Sequence, residues 1–175
     1  MSGLVLWFTG LSGAGKSTIA DLVGSELERS GTAVEYLDGD VVRTHLSKGL
    51  GFTKEDRDTN VERIGWVASR LARHGATVLV SAISPYAAAR AKARALVEEF
   101  APFVEIHVAT SVDECARRDV KGLYVKAFSG ELAEFTGVSD PYEAPESPEL
   151  RVETEGRSPE DSAREVLAFI EAVPA

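Results

Sequence analysis

The chain has 175 residues, of which 44% are hydrophobic and 27% charged, with a formal net charge of −9. That describes one soluble globular domain with room for a good core, and it argues against holding nucleic acid by bulk electrostatics. A single cysteine, Cys115, excludes an internal disulfide. With no basic-then-apolar leader and no run of membrane-spanning length, the expectation is a cytoplasmic protein with no membrane partner.

In chain order, Leu4–Thr9 is an apolar run of strand length, followed by Gly10-Leu11-Ser12-Gly13-Ala14-Gly15-Lys16-Ser17-Thr18. Two glycines bracket four residues before lysine and serine, which is the phosphate-loop pattern, and the amphipathic segment with Ile19, Leu22, Val23 and Leu27 completes a strand–loop–helix unit. Ala33–Leu37 reads as a second strand ending at Asp38-Gly39-Asp40, with Arg43 on a helix beyond it. Thr53 with Asp56 forms a capping box for a helix that buries Ile64, Val67, Ala68 and Leu71 and stops at Gly75. Thr77–Val80 is a buried strand, after which Ser84 and Pro85 are placed to start an alanine-rich helix running to about Phe100. Phe103–Val108 is the next strand, Ser111 with Glu114 caps a short helix, Leu150–Val152 is an edge strand, and Ser158-Pro159 opens the last helix. The alternation predicts an α/β fold, a parallel sheet flanked by helices, in a single domain over residues 1–175. The segment 120–149 is the exception: glycines, three prolines and four aromatic residues without sustained periodicity predict a mobile lid, with a helical turn near Tyr124 to Phe128.

The phosphate loop implies a nucleoside triphosphate. Glycines let successive N–H groups turn inward around phosphate oxygens at a helix N-terminus, Lys16 reaches the β- and γ-phosphates, and the Ser17 hydroxyl serves Mg²⁺. A carboxylate at Asp38 or Asp40, ending the strand beside the loop, can hold Mg²⁺ through water or take the proton of an attacking hydroxyl. Arg57 and Asn60, the only asparagine, are spaced to share a helix face. Arg118 precedes the lid, where an arginine stacks on a nucleotide base or neutralises phosphates. Cys115 falls on an apolar helix face and reads as core. The three histidines have no metal-site spacing.

Taken together, the phosphate loop, Leu37-Asp38-Gly39-Asp40 with Arg43, Leu50-Gly51-Phe52, Arg57 with Asn60, Ile83-Ser84-Pro85-Tyr86, Lys121-Gly122-Leu123-Tyr124, Phe135-Thr136-Gly137 and Asp140-Pro141-Tyr142-Glu143-Ala144-Pro145 occur in the order found in adenylylsulfate kinases. The resemblance covers nearly the whole chain. It implies transfer of the ATP γ-phosphoryl group to the 3′-hydroxyl of adenylylsulfate, in sulfate assimilation, with Mg²⁺. Carried over by position, Asp40, Arg43, Phe52, Arg57, Asn60, Ile83, Ser84 and Phe135 form the adenylylsulfate site, with Phe52 and Phe135 sandwiching the adenine and Arg43, Arg57 and Asn60 on phosphosulfate oxygens and polar edges. The same carry-over puts Lys121 at the phosphates and Arg118 near the ATP base, and implies a homodimer. Some bacterial members are described as forming a phosphoserine at the position of Ser84; no histidine or lysine stands beside it here, so the expected role is positioning.

Three departures from the family pattern stand out: the first strand is expected to begin almost at Met1, without the arm found before it in many members, Ala87 replaces an arginine often found after Ser-Pro-Tyr, and Val120 replaces a proline before Lys-Gly-Leu-Tyr. The competing readings are weaker. A GTPase needs an Asn-Lys-x-Asp element, and Asn60 is followed by Val61. A non-catalytic nucleotide sensor descended from a kinase is expected to have lost Lys16 or the strand-end carboxylates, and both remain. A small-molecule kinase with another acceptor is the serious alternative, because fold and phosphate loop do not define the acceptor.

Overall fold

The computed structural model describes residues 3–172. Its elements are β1 (Leu4–Thr9), α1 (Lys16–Arg29), β2 (Val34–Asp38), α2 (Gly39–His45), α3 (Lys54–Arg73), β3 (Thr77–Ser81), α4 (Ala87–Glu98), β4 (Phe103–Val108), α5 (Val112–Arg118), α6 (Leu123–Phe128), β5 (Leu150–Val152) and α7 (Pro159–Ala172). The strands form one parallel sheet in the order β2-β3-β1-β4-β5.

Strand side chains alternate between faces, so each strand feeds two apolar layers. Val5, Trp7, Val78 and Val80 point to one side and pack with Ile64 and Ala68 of α3 and Ala93 and Val97 of α4. Leu6, Phe8, Leu79 and Ile106 point to the other and meet Ile19 and Val23 of α1, Cys115 of α5 and Val166 of α7. Burial on both faces explains why β1 and β3 read as unbroken apolar runs. Helices α3 and α4 cross closely at Gly65, where an added Cβ would lie 2.8 Å from the Ala93 Cβ. The helix leaving β1 covers one face, and those leaving β2 and β3 cover the other, which opens a crevice at the carboxyl ends of the strands.

Most helix starts follow their caps. The Thr53 hydroxyl accepts from the Asp56 N–H, that of Ser111 from Glu114 and that of Ser158 from Asp161. One start differs from the sequence expectation. Ser84 does not cap α4, because its backbone lies in the left-handed region at φ 43° and the helix begins only at Ala87. The Glu143 carboxylate, from 56 residues downstream, accepts the Ala87 N–H at 2.8 Å in its place. The N-terminus of α4 is therefore occupied by this chain's own anion. The segment 120–149 contains α6 and a compact loop closed by a Thr136–Asp140 bridge.

Candidate active site

One cleft of about 1030 Å³ lies across the carboxyl ends of β1, β2 and β3. It gathers Ser12 to Ile19, Asp38 to Asp40, Arg43, Phe52, Arg57, Asn60, Ile83, Ser84, Arg118, Lys121 and Phe135. Every residue assigned to phosphate, metal or acceptor from the sequence lines it except Gly10 and Leu11. Those two serve the loop from behind. A Cβ on Gly10 would sit 2.7 Å from the Val108 carbonyl of β4, and Leu11 is buried with its carbonyl bonded to Lys16.

The phosphate loop turns through left-handed conformations at Gly13 and Gly15, with φ of 75° and 104°, a geometry glycine adopts without a Cβ penalty. Lys16 is the first residue of α1, and its ammonium donates to the Leu11 carbonyl at 2.7 Å. Burial, with Lys121 acting in the same direction, lowers its pKa to about 8 against the opposing pull of Cys115, Asp38 and Asp40. A cation destabilised in this way gains most from an anionic ligand. Ser17 donates to the Asp38 Oδ2 at 2.5 Å, and the Asp38 Oδ1 accepts the Asp40 N–H at 2.9 Å to cap α2. The Asp38 side chain is thus turned toward the phosphate loop, whereas Asp40 projects into the cleft and pairs with Lys121 from the opposite wall.

On the far side, Arg43 donates to the Gly51 carbonyl at 3.0 Å and lies 4.4 Å over the half-exposed Phe52 ring. Burial and then the nearby Arg57 lower its pKa. Asn60 is buried, and its Oδ1 has no hydrogen-bond partner; an orphaned buried acceptor lining a cleft is suited to a ligand donor. Arg57 bonds the 134–140 loop, where the Phe135 ring meets Tyr124 edge-on at 5.0 Å and the Tyr124 hydroxyl reaches the Ser12 carbonyl. The Ile83 carbonyl accepts from the Thr9 hydroxyl, which also bonds Tyr142. The buried Ser84 hydroxyl accepts from the Trp7 indole N–H at 3.0 Å and donates to the Ala82 carbonyl at 3.2 Å, and Arg90 holds the Ser84 carbonyl at 2.8 Å.

At the other end, Arg118 bonds Glu114 at 2.8 Å, and Thr154, Gly156, Arg157 and Pro159 complete the wall. Sequence reasoning missed these last four. The signal was present, since they join β5 to α7 at a strand carboxyl end, where α/β ligands collect. Cys115 is buried in the core, as its helix face implied, and burial raises its thiol pKa.

The model of the adenylylsulphate kinase family matches residues 2–153. The adenylyl-sulfate kinase of Chloroflexus aurantiacus is 54% identical over 170 residues, which are 97% of this chain and 90% of that protein. The probable bifunctional SAT/APS kinase 2 of Sorangium cellulosum is 55% identical over 171 residues, and there the match spans 98% of this chain but only 29% of that longer protein. Among solved structures, the Mycobacterium tuberculosis APS kinase CysC in complex with AMPPNP and APS superposes with a TM-score of 0.94 at 44% identity, covering 98% of this chain and 99% of that one. The chain belongs to the adenylylsulphate kinase family.

Proposed function

We propose that this protein transfers the γ-phosphoryl group of ATP to the 3′-hydroxyl of adenylylsulfate, and that the two halves of its cleft divide the substrates. The observation that carries the reading is the meeting in one cleft of a complete phosphate loop with a wall of acceptor-recognising side chains from α2, α3 and the β3–α4 connection. ATP lies with its phosphates on the loop N–H groups from Gly13 to Thr18, under Lys16, and its base toward Arg118. Adenylylsulfate lies opposite, its adenine between Phe52 and Phe135, its anionic end toward Arg43, and its polar edges toward Asn60 and the Ile83–Ser84 backbone, with Arg57 on the same wall.

The Ser17 hydroxyl and the Asp38 carboxylate are hard oxygen donors close enough to share one small cation, which fits Mg²⁺, an ion that takes few protein ligands beside phosphate oxygens. When bound, Mg²⁺ supplies positive charge to the β- and γ-phosphates. Asp40 orients the 3′-hydroxyl and accepts its proton as the oxygen attacks the γ-phosphorus and the bond to the β–γ bridging oxygen breaks, releasing ADP. Lys16 and Lys121 neutralise the charge on the transferring group. In phosphoryl transfer, such positioning and charge neutralisation supply most of the catalysis. Ser84 acts by position and forms no phosphoserine, because its hydroxyl proton is donated to the Ala82 carbonyl and neither of its hydrogen-bond partners, Trp7 and Ala82, is a base that could activate it.

The 120–149 segment acts as a lid that closes over both substrates and excludes water as a competing acceptor. The domain is single and works in the cytoplasm; among the described residues no helix is long and apolar enough to cross a membrane. A homodimer is supported by exposed Leu46 and Trp66 at a surface groove between the residue after α2 and the outer face of α3; sedimentation of the purified protein tests it. Initial rates with adenylylsulfate against a panel of nucleoside and sugar acceptors test the function. Preference for any of the others by kcat/KM overturns the acceptor assignment and leaves the phosphate loop intact.

A further inference from the structure

Arg57 is a buried cation of the cleft with three partners, all of them in the 120–149 segment. The buried guanidinium donates to the Thr136 hydroxyl at 2.8 Å and to the Glu134 carbonyl, and it pairs with Asp140 at 3.1 Å. These three residues belong to one small closed loop. The Phe135 carbonyl accepts from the N–H groups of Val138, Ser139 and Asp140, the Gly137 N–H donates to the Asp140 carbonyl, and the Phe135 N–H donates to the Ser139 hydroxyl. Glu134 sits at φ 54°, a left-handed conformation that a non-glycine residue keeps only when its surroundings enforce it. Arg57 grips the carbonyl of that residue, and Phe135 follows immediately. On its other side the loop rests on the phosphate loop: a Cβ on Gly137 would lie 2.9 Å from Leu11, and Phe135 reaches Ser12 through Tyr124.

Charge points the same way. Asp140 already answers the Arg57 cation, whereas Arg43 bonds a carbonyl, lies over an aromatic ring and forms no ion pair among the described residues. Of the two arginines, Arg43 is the one with charge left for an incoming anion. We propose that Arg57 serves the acceptor through the loop: Asp140 and Thr136 are positioning residues that hold Arg57 on the Glu134 carbonyl, and so fix Phe135 over the acceptor's base. The inference rests on the reading that Phe135 covers the adenine of adenylylsulfate.

The test compares adenylylsulfate with adenosine 5′-phosphate, a competitor that has the base and lacks the sulfate. Asp140→Asn and Thr136→Val are expected to raise the KM for adenylylsulfate and the inhibition constant of adenosine 5′-phosphate by the same factor, about tenfold, the scale of one lost charged hydrogen bond. The KM for ATP stays unchanged, and Arg57→Ala/Asp140→Asn is no weaker than Arg57→Ala alone, as expected of residues acting through one contact. Asp140→Asn binding adenylylsulfate as well as or better than the wild type overturns the proposal. So does Arg57→Ala weakening adenylylsulfate far more than adenosine 5′-phosphate, since Arg57 would then read the sulfate directly. Phe135→Ala separates the two levels. If it weakens both ligands, the base assignment stands and a failure of Asp140→Asn counts against loop docking alone. If it weakens neither, the acceptor reading of Phe135 falls, and this inference falls with it.

Discussion

Replacing Ser84 by alanine separates a positioning residue from a covalent relay. The Ser84 hydroxyl lies between the indole N–H of Trp7, a fully buried core residue of β1, and the Ala82 carbonyl. Removing it leaves the Trp7 donor without its partner where water has no access, which costs about 1–3 kcal/mol. At 175 residues that is a fall in melting temperature of roughly 2–12 °C. The backbone at Ser84 stays in place, because Arg90 holds its carbonyl and Glu143 holds the start of α4. Turnover is therefore expected to drop about 10- to 100-fold, the scale of a misplaced acceptor, and to remain measurable. Thermal unfolding and initial rates read these two effects, and transfer from a chiral γ-phosphate reads the stereochemistry, where inversion is expected for direct attack. Trp7→Phe in the Ser84→Ala background removes the orphaned donor and should recover part of the lost stability without restoring the rate. Retention at phosphorus, or a folded Ser84→Ala protein without turnover alongside an isolable phosphoserine in the wild type, would refute the reasoning.

Lys16→Ala should fold and lose about two to three orders of magnitude in turnover, the scale for one electrostatic contact to a transition state; near wild-type rates in a folded variant would sink the phosphate-loop assignment. The lowered Lys16 pKa also has a sign that can be measured without substrate. Between about pH 8 and 10.5 the unfolded chain holds the Lys16 proton and the folded chain does not, so wild type should gain stability relative to Lys16→Met as pH rises through that window, by up to about 1.4 kcal/mol per pH unit, as read from urea midpoints. Gly65→Leu should destabilise the protein by about 1–3 kcal/mol, because side-chain atoms there meet Ala93 of α4 at once; an unchanged thermal midpoint would show that the two helices can part freely. Glu143→Ala removes the carboxylate that caps α4 and should cost about 1 kcal/mol, with Glu143→Gln, which keeps an acceptor oxygen, recovering much of it.

Much of this protein is local and was legible in the chain. The strands of the sheet centre are apolar runs because both of their faces are covered, and the helices beginning at Thr53, Ser111 and Ser158 start where a hydroxyl can accept a nearby N–H. The phosphate loop is local too: its glycines, lysine and serine act within one turn of chain, so their order alone implies the chemistry. The cap of α4 was not legible, because its acceptor, Glu143, comes from 56 residues away and no short-range rule could choose it over Ser84. The same holds for Arg57, whose helix face the spacing indicated but whose partners at Thr136 and Asp140 exist only after the 120–149 segment folds back across the cleft. Hydrogen bonds within a turn follow from sequence spacing. Those that join a loop to a distant helix follow from which surfaces the sheet brings together, and that is decided only when the two apolar layers close.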